Sequence, residues 1–324
     1  MKAIYLLFFI AAVFSLEHSN AYYRAYYDSF LSKFNKKYTD AEYKYRLSVF
    51  AENIDYINAE NQKGHSYSLG LTIFTDLTNE EFKNGKFCGC NYDSKLRGDV
   101  TVYSKKASVF TPIDWREKNV VNAIRDQGHC GSCWAFSAIS SIESANAIKT
   151  GNLLELSEQQ LVDCVNNAAG CGGGNVDTAF VYYELHSICS RESYPYTATD
   201  NACTADSCTK VLPTIKTFSK VTVNSGASLV SALQNQPVSV SIEADKPVFK
   251  QYTGGIIDSE ECGTSRNHAV VVVGSGEEDG KKYLLVRNSW GTSWGLDGYV
   301  KIAYVEEGEG ICGINMNAYF PILY

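Results

Sequence analysis

The run Gln127-Gly128-His129-Cys130-Gly131-Ser132-Cys133-Trp134 holds two cysteines three residues apart, ahead of a segment of helical character beginning Ala135-Phe136-Ser137-Ala138. Ser132 is of the residue type that caps helix N-termini, so Cys133 is expected in the first turn of a helix. A thiolate there lies near the positive end of the helix dipole. An unperturbed thiol titrates near about 8.5, and a helix N-terminus with a protonated imidazole lowers that by several units. Cys133 is therefore read as a nucleophile. The same spacing also suits a redox pair, half a zinc site or two disulfide members.

A thiol nucleophile needs a base and an orienting group. Beyond residue 110 the only histidines are His129, His186 and His268. His129 shares the tight glycine loop of Cys133, and His186 ends an expected helix with no evident acid partner. His268 heads the run Ala269-Val270-Val271-Val272-Val273, a strand stiff enough to hold an imidazole. From the residues alone, a structural histidine stays open there, as does a turn asparagine at Asn288 in Asn288-Ser289-Trp290-Gly291.

The elements that must position these groups divide along the chain. Helices are expected over 133–149, closed by Gly151, from a capping box at Ser157-Glu158-Gln159-Gln160, and over 176–186. The first carries Ala135, Ala138, Ile139, Ile142 and Ala145 on one face. Strands rich in Val, Ile and Tyr follow at 238–242, 268–273, 282–288 and 299–303. Helices followed by strands argue for an α+β fold of two lobes.

The chain is 45 % hydrophobic and 13 % aromatic, typical of folded globular proteins, with no repeat or low-complexity tract. Lys2 followed by apolar residues 3–14 resembles a secretory signal, with cleavage expected after Ser15 or Ala21. No later apolar run reaches the length of a membrane span. Export gives the eleven cysteines an oxidising setting, and their odd number leaves at least one outside any bridge. No Asn-x-Ser/Thr acceptor occurs. Residues 22–110 carry 13 Lys/Arg against 11 Asp/Glu, whereas 111–324 carry 15 against 24. That acidic balance argues against a nucleic-acid binder.

Residues 40–62 read as one amphipathic helix, free of Gly and Pro. Glu42, Arg46, Phe50, Asn53, Ile57 and Asn61 fall within an arc of about 100° on it. An ordinary packing helix with a Glu42–Arg46 pair would look the same. The spacing E-x3-R-x3-F-x2-N-x3-I-x3-N nevertheless resembles the inhibitory propeptides of cathepsin L-type proteases. A second motif of those propeptides, G-x-N-x-F-x-D, is met by Gly70, Phe74 and Asp76, with Thr72 where Asn is usual. After Phe87 the periodicity fades through Cys88-Gly89-Cys90-Asn91, a stretch read as a flexible connector to Val109. Thr111-Pro112-Ile113-Asp114-Trp115-Arg116 resembles the start of mature papain-like enzymes, and C-G-S-C-W matches the signature of that family.

The chain from Asp40 to Tyr319 thus resembles a papain-like cysteine protease of the cathepsin L group. The resemblance implies a signal peptide over 1–21, an inhibitory propeptide over 22–110 and a peptidase domain over 111–324. It implies a helical left lobe and a β-barrel-like right lobe around a cleft. Cys133 would be the nucleophile, His268 the base, Asn288 its orienting partner and Gln127 the oxyanion-hole donor, with Trp290 and Trp294 shielding the His–Asn bond. Substrate contacts would fall at Gly173, Gly174, Val176, Ser241, Arg266, Asn267, Ala269, Trp294 and Asn317. Arg266 and Asn317 depart from the usual apolar pocket, unless Arg266 turns outward and lines the wall with its stem. The resemblance also implies the family's three bridges, which would map to Cys130–Cys171, Cys164–Cys203 and Cys262–Cys312. Setting the nucleophile aside leaves Cys189 and Cys208, expected to form a fourth bridge or to stay reduced and buried. The six residues between Cys164 and Cys171, without a His-rich insertion, favour endopeptidase action.

The implied enzyme needs no metal or organic cofactor and is a monomer in a lysosome, acidic vacuole or extracellular space. Its partners are polypeptide substrates, its own propeptide and cystatin-like inhibitors. The basic leader on an acidic body suggests charge complementarity, loosened as acid protonates carboxylates such as Asp76. A catalytically silent binding or storage protein on the same fold is the alternative.

Overall fold

A computed structural model describes residues 21–89, 100–212 and 214–324. The expected signal segment, except Ala21, and Cys90 with Asn91 lie outside the described residues. The leader supplies helix α1 (residues 21–33), α2 (Asp40–Asn61), strand β1 (Tyr67–Leu69), α3 (Asn79–Asn84) and β2 (Thr101–Tyr103). The body follows with β3 (Ile113–Asp114), α4 (Cys133–Thr150), α5 (Glu158–Cys164), α6 (Val176–Leu185), β4 (Ile188–Cys189), β5 (Lys210–Leu212) and β6 (Thr217–Val221). It continues with α7 (Gly226–Leu233), β7 (Val238–Ile242), α8 (Pro247–Lys250), β8 (Tyr252–Ile257), β9 (His268–Glu278), β10 (Lys281–Arg287), β11 (Tyr299–Ala303) and β12 (Ala318–Ile322).

Of the expected elements, α2, α4, α6 and β10 shift by one residue at one or both ends and β9 by more. Strand β9 runs five residues beyond Val273, because Lys281–Leu285 continues to pair with Gly274–Glu278 after the valine run ends. Helix α6 stops at Leu185, with His186 extended and stacked on Tyr182. The expected capping box at Ser157 is half formed. The Ser157 hydroxyl accepts from Gln160 N at 3.0 Å, but the Gln160 side chain turns to Ser187 O and Cys189 N instead of back to the cap.

The right lobe is not a closed barrel. Its strands form one open path in the order β1, β8, β11, β10, β9, β7, β12, β6, β2, with β3 pairing β9. Both ends of that path come from the leader. Strand β1 pairs antiparallel with β8, and β2 pairs parallel with β6. The segment after Phe87 is therefore not simply a connector: Thr101–Tyr103 covers an edge whose unpaired N–H and C=O groups would otherwise meet solvent.

Helix α4 is packed between the lobes, and fifteen of its eighteen residues are buried, so its apolar stripe is not the only face it conceals. Polar groups on the other faces find partners. Ser137 Oγ donates to Val270 O at 2.8 Å, and Ser239 Oγ donates to Ser137 O at 3.0 Å, fastening α4 to β9 and β7. Its C-terminus closes at Gly151 with φ +75°, a left-handed position suited to glycine. Beneath α4, Arg125 is paired with Glu143 and Glu158, and Arg191 also reaches Glu158. Burial pushes the Glu143 carboxyl up, and Arg125 opposes that shift.

Removing one member of such a buried cluster leaves the other charges uncompensated. Glu158→Ala is expected to destabilise the fold by about 3 kcal/mol, read as a lowered midpoint in thermal or urea unfolding. A change within the range of surface substitutions would show that the cluster is not needed.

Candidate active site

Cys133 opens α4, with the bridge Cys130–Cys171 fixing the loop before it. Gly131 N donates to Cys171 O at 2.9 Å, which holds that loop against the segment leading to α6. Cys130 is thereby taken out of a CxxC pair with Cys133. Ser132 occupies the position before the helix but does not cap it with its side chain. Its hydroxyl lies 2.6 Å from Tyr196 Oη, which donates to Gln127 O at 2.7 Å. A tyrosine sixty-four residues away competes for the hydroxyl, and residue type alone could not show that.

His268 begins β9 and is fully buried. Its Nε2 lies 2.7 Å from Asn288 Oδ1, and the same oxygen accepts from Ser289 N at 2.8 Å. A backbone N–H can only donate, so the Asn288 atom facing it must be oxygen, and Nε2 must carry the proton. In the neutral ring Nδ1 is then the bare nitrogen, and it is buried without a hydrogen bond. Trp290 stacks on the imidazole at 4.6 Å and 29°, shielding the His–Asn bond. Trp294 packs edge-on behind Trp290 at 5.1 Å and donates to Lys250 O.

The Gln127 amide is oriented from both ends. Ser289 Oγ donates to Gln127 Oε1 at 2.6 Å, while Gln127 Nε2 points to Cys130 O at 2.9 Å and Phe87 O at 3.1 Å. Phe87 O also accepts from Trp290 Nε1 at 3.0 Å. Ser289 and Tyr196 are missing from the residues read as functional, because neither lies in a spacing that marks it.

The leader main chain lies along this cleft. Gly174 N donates to Gly89 O at 2.8 Å, and a Cβ at Gly173 would come within 2.5 Å of that oxygen. Phe74, Phe82 and Phe87 of the leader surround Trp290, with ring centroids 5.0 Å apart for Phe74 and 5.5 Å for Phe82. The leader motif residues hold that arrangement. Arg46 pairs with Glu42 and Glu81, Asn53 donates to Thr75 O, and Asn61 both donates to and accepts from Leu69. Phe50 and Ile57 are buried. Asp76 accepts from Lys36 and Tyr38. Gly70 N donates to Gln251 O, and Thr72 Oγ1 donates to Lys250 O at 2.9 Å. Thr72 thus makes a body contact where Asn is usual.

The expected substrate residues fall into two groups. Ser241 pairs with Ala269 in the β7–β9 ladder and hydrogen-bonds through its main chain to Asn317 O, with Val176 at the start of α6. Asn267 sits one residue before His268, its Oδ1 accepting from Ala244 N. Arg266 is partly buried, and its charge and that of Asp177 both act on the buried Tyr319 hydroxyl, whose pKa burial raises. Asp177 and Tyr319 add ionisable character to a region read only from Arg266 and Asn317. Bridges also join Cys164 to Cys203, Cys262 to Cys312 and Cys189 to Cys208.

Residues 110–322 match the papain family cysteine protease profile, and residues 27–82 match the cathepsin propeptide inhibitor domain (I29). The chain is 42 % identical over 295 residues to the probable cysteine protease RD21B of Arabidopsis thaliana, covering 90 % of this chain and 63 % of that one. It is 39 % identical to papaya proteinase 4 of Carica papaya over 91 % of this chain and 86 % of that one. Among solved structures, the proform of the ragweed pollen cysteine protease Amb a 11 superposes with a TM-score of 0.85 at 35 % identity, covering 93 % of this chain and 94 % of that one. Among the described residues no helix is long and apolar enough to cross a membrane.

Lys250 gives this interface a pH dependence. Its ammonium is fully buried, 5.2 Å from the Phe82 ring centroid and without a hydrogen bond. Burial pulls its amine down from 10.5 to about 8, with Asp245 and Cys88 opposing. The folded pKa is thus below the unfolded value, so the cost of the buried charge is fully present below about 8 and is relieved as pH rises toward 10.5. With the Cys133→Ser full chain as background, Lys250→Met should be the more stable variant at pH 7. The gap should close as pH rises through that window. Thermal midpoints that stay parallel across it would exclude this account.

Proposed function

The chain belongs to the papain family of cysteine proteases, and on that premise we propose that it is an endopeptidase made as an inactive proform, acting through Cys133, His268 and Asn288. The observation that carries this reading is the oriented pair at the cleft. The Asn288 carbonyl selects the tautomer that leaves His268 Nδ1 to exchange a proton with the Cys133 thiol at the N-terminus of α4. In the forward reaction the Cys133 thiolate adds to a peptide carbonyl. The oxyanion takes hydrogen bonds from Gln127 Nε2 and the Cys133 backbone N–H. His268 then protonates the leaving amine, and water activated by the same imidazole hydrolyses the thioester. No step in this sequence draws on a metal or organic cofactor.

The contact from Gln127 Nε2 to Phe87 O supports inhibition by occupation, since the leader's own carbonyl takes the donor a substrate oxyanion would use. Gly174 N to Gly89 O extends that occupation along the cleft. Processing near Thr111 would remove the leader, and with it both edge strands of the sheet. Acid is read as the trigger for this because a basic leader lies on an acidic body, as in the pairs Lys83–Asp245 and Lys106–Glu307. The bridged cysteines favour a secretory-pathway destination, an acidic vacuole, lysosome or the outside of the cell. Substrates and inhibitors are read as polypeptides, cystatin-like proteins among them, with the enzyme as a monomer.

After leader removal, an epoxide active-site label should attach at Cys133 and nowhere else, and Cys133→Ser should abolish it. Gln127→Ala should lower kcat by about 10²-fold with the label still attaching. Labelling at another residue, or activity retained by Cys133→Ser, would reject the assignment. Arg266 and Asn317 near the Ser241–Ala269 ladder predict a departure from a simple Leu or Phe preference two residues before the scissile bond. A fluorogenic panel varied there tests it, and an unmodified Leu/Phe preference counts against a polar pocket. Self-processing equally fast at neutral and acidic pH would remove the acid trigger.

A further inference from the structure

Eight cysteines are bridged, and among the described residues two others remain as thiols, Cys88 and Cys133. They are distant in sequence, one in the leader and one at the head of α4, yet the fold brings them to the same cleft. The leader main chain is pinned on both sides of Cys88. Phe87 O is held by Gln127 and Trp290, and Gly89 O is held by Gly174 N. Close approach is permitted by missing side chains. A Cβ on Gly89 would lie 2.0 Å from Gly131 O, and one on Gly131 would lie 3.2 Å from Gly89 Cα and 3.4 Å from Cys88 O. Gly131 is two residues before Cys133. Cys88 is partly buried against the aromatic cluster of leader and body, and burial together with the neighbouring Cys133 pushes its pKa up. It takes no part in the proposed reaction.

We propose that Cys88 and Cys133 form a disulfide in the proform, a covalent latch between the leader and the nucleophile that must be reduced before the leader can leave. The inference rests on the reading of Cys133 as nucleophile. The co-reactant is a low-molecular-weight disulfide of the oxidising compartment in which the other four bridges persist. The Cys133 thiolate attacks one sulfur of that disulfide, forming a mixed disulfide and releasing one small thiolate, which takes up a proton. The Cys88 thiol loses its proton to solvent and attacks Cys133 Sγ, forming the Cys88–Cys133 bond and releasing the second small thiol. Two protein thiols are oxidised and one small disulfide is reduced to two thiols. Excess small thiol runs the exchange backwards and restores the nucleophile. Acid alone then loosens the leader without freeing the site, and reductant alone frees the sulfur while the leader still covers it.

The test uses the full chain, incubated with oxidised glutathione, alkylated and mapped by mass spectrometry without reduction, alongside a Cys90→Ser chain so that the neighbouring cysteine cannot substitute. The expected result is a peptide linked through Cys88 and Cys133 in both chains. Self-processing at acidic pH should be slower by roughly tenfold or more without added thiol, and Cys88→Ser should process at the reduced rate in either condition. Linkage through Cys90, or Cys88 and Cys133 both alkylated after oxidation, overturns the latch whatever the variant does. Epoxide labelling of the reduced, processed chain separates the two readings. Labelling at Cys133 with no Cys88–Cys133 link refutes only the latch, and a link without labelling refutes the nucleophile.

Discussion

The carbonyl oxygen of Phe87 accepts hydrogen bonds from the Gln127 amide and the Trp290 indole, and the orientation of the leader in the cleft turns on that one acceptor. Gln127 is held by Ser289 and by the loop that the Cys130–Cys171 bridge fixes. Trp290 is the plate lying on His268. A leader atom therefore touches the two groups that bracket the proposed catalytic pair. Displacing it exposes the amide donor and uncovers the tryptophan together. Hydrogen bonds of this kind contribute about 1 kcal/mol each in net terms, so they orient the leader more than they bind it.

The affinity lies in the surfaces on either side. Phe74, Phe82 and Phe87 form an aromatic cluster against Trp290, and burying rings of that size is worth roughly 1.5–3 kcal/mol each. At the far ends of the sheet, β1 and β2 complete the backbone hydrogen bonding of β8 and β6. The leader is thus both a plug and a pair of edge strands. Without it the sheet would have two uncovered edges, so the sheet's backbone pairing is tied to the leader's presence. Lys250 works in the other direction, since the leader ring over its ammonium encloses a charge that prefers water.

The two lobes are joined through α4, where the Ser137 hydroxyl donates to Val270 of β9 and the Ser137 carbonyl accepts from Ser239 of β7. Cys133 and His268, the proposed nucleophile and base, belong to different halves of the chain, and the buried helix α4 packs against the strand that His268 begins. The buried charges under it, Arg125 with Glu143 and Glu158, contribute little net stability as a set but make the arrangement specific, because any single loss strands the rest.

Much of the candidate site was legible in residue types and spacing: a cysteine at a helix start, a histidine heading a valine strand, an Asn-Ser-Trp turn, and a leader helix with six residues on one face. These are local signals, set by helix and strand periodicity and by which side chains can act as nucleophile, base or donor. What only the tertiary structure decided depends on contacts between distant segments. Tyr196 takes the Ser132 hydroxyl from its capping role, Ser289 aims the Gln127 amide, and Gln160 leaves its own helix end for Cys189. Residues 101–103 carry too short a pattern to announce a strand, and they become one because β6 offers an unpaired edge. Helix α4 hides its polar faces as fully as its apolar one, so periodicity could indicate the helix but not its place between the lobes. Local preferences decide which elements form. Which donor meets which acceptor is decided by burial, where every polar group must find a partner and the nearest one is seldom a neighbour in sequence.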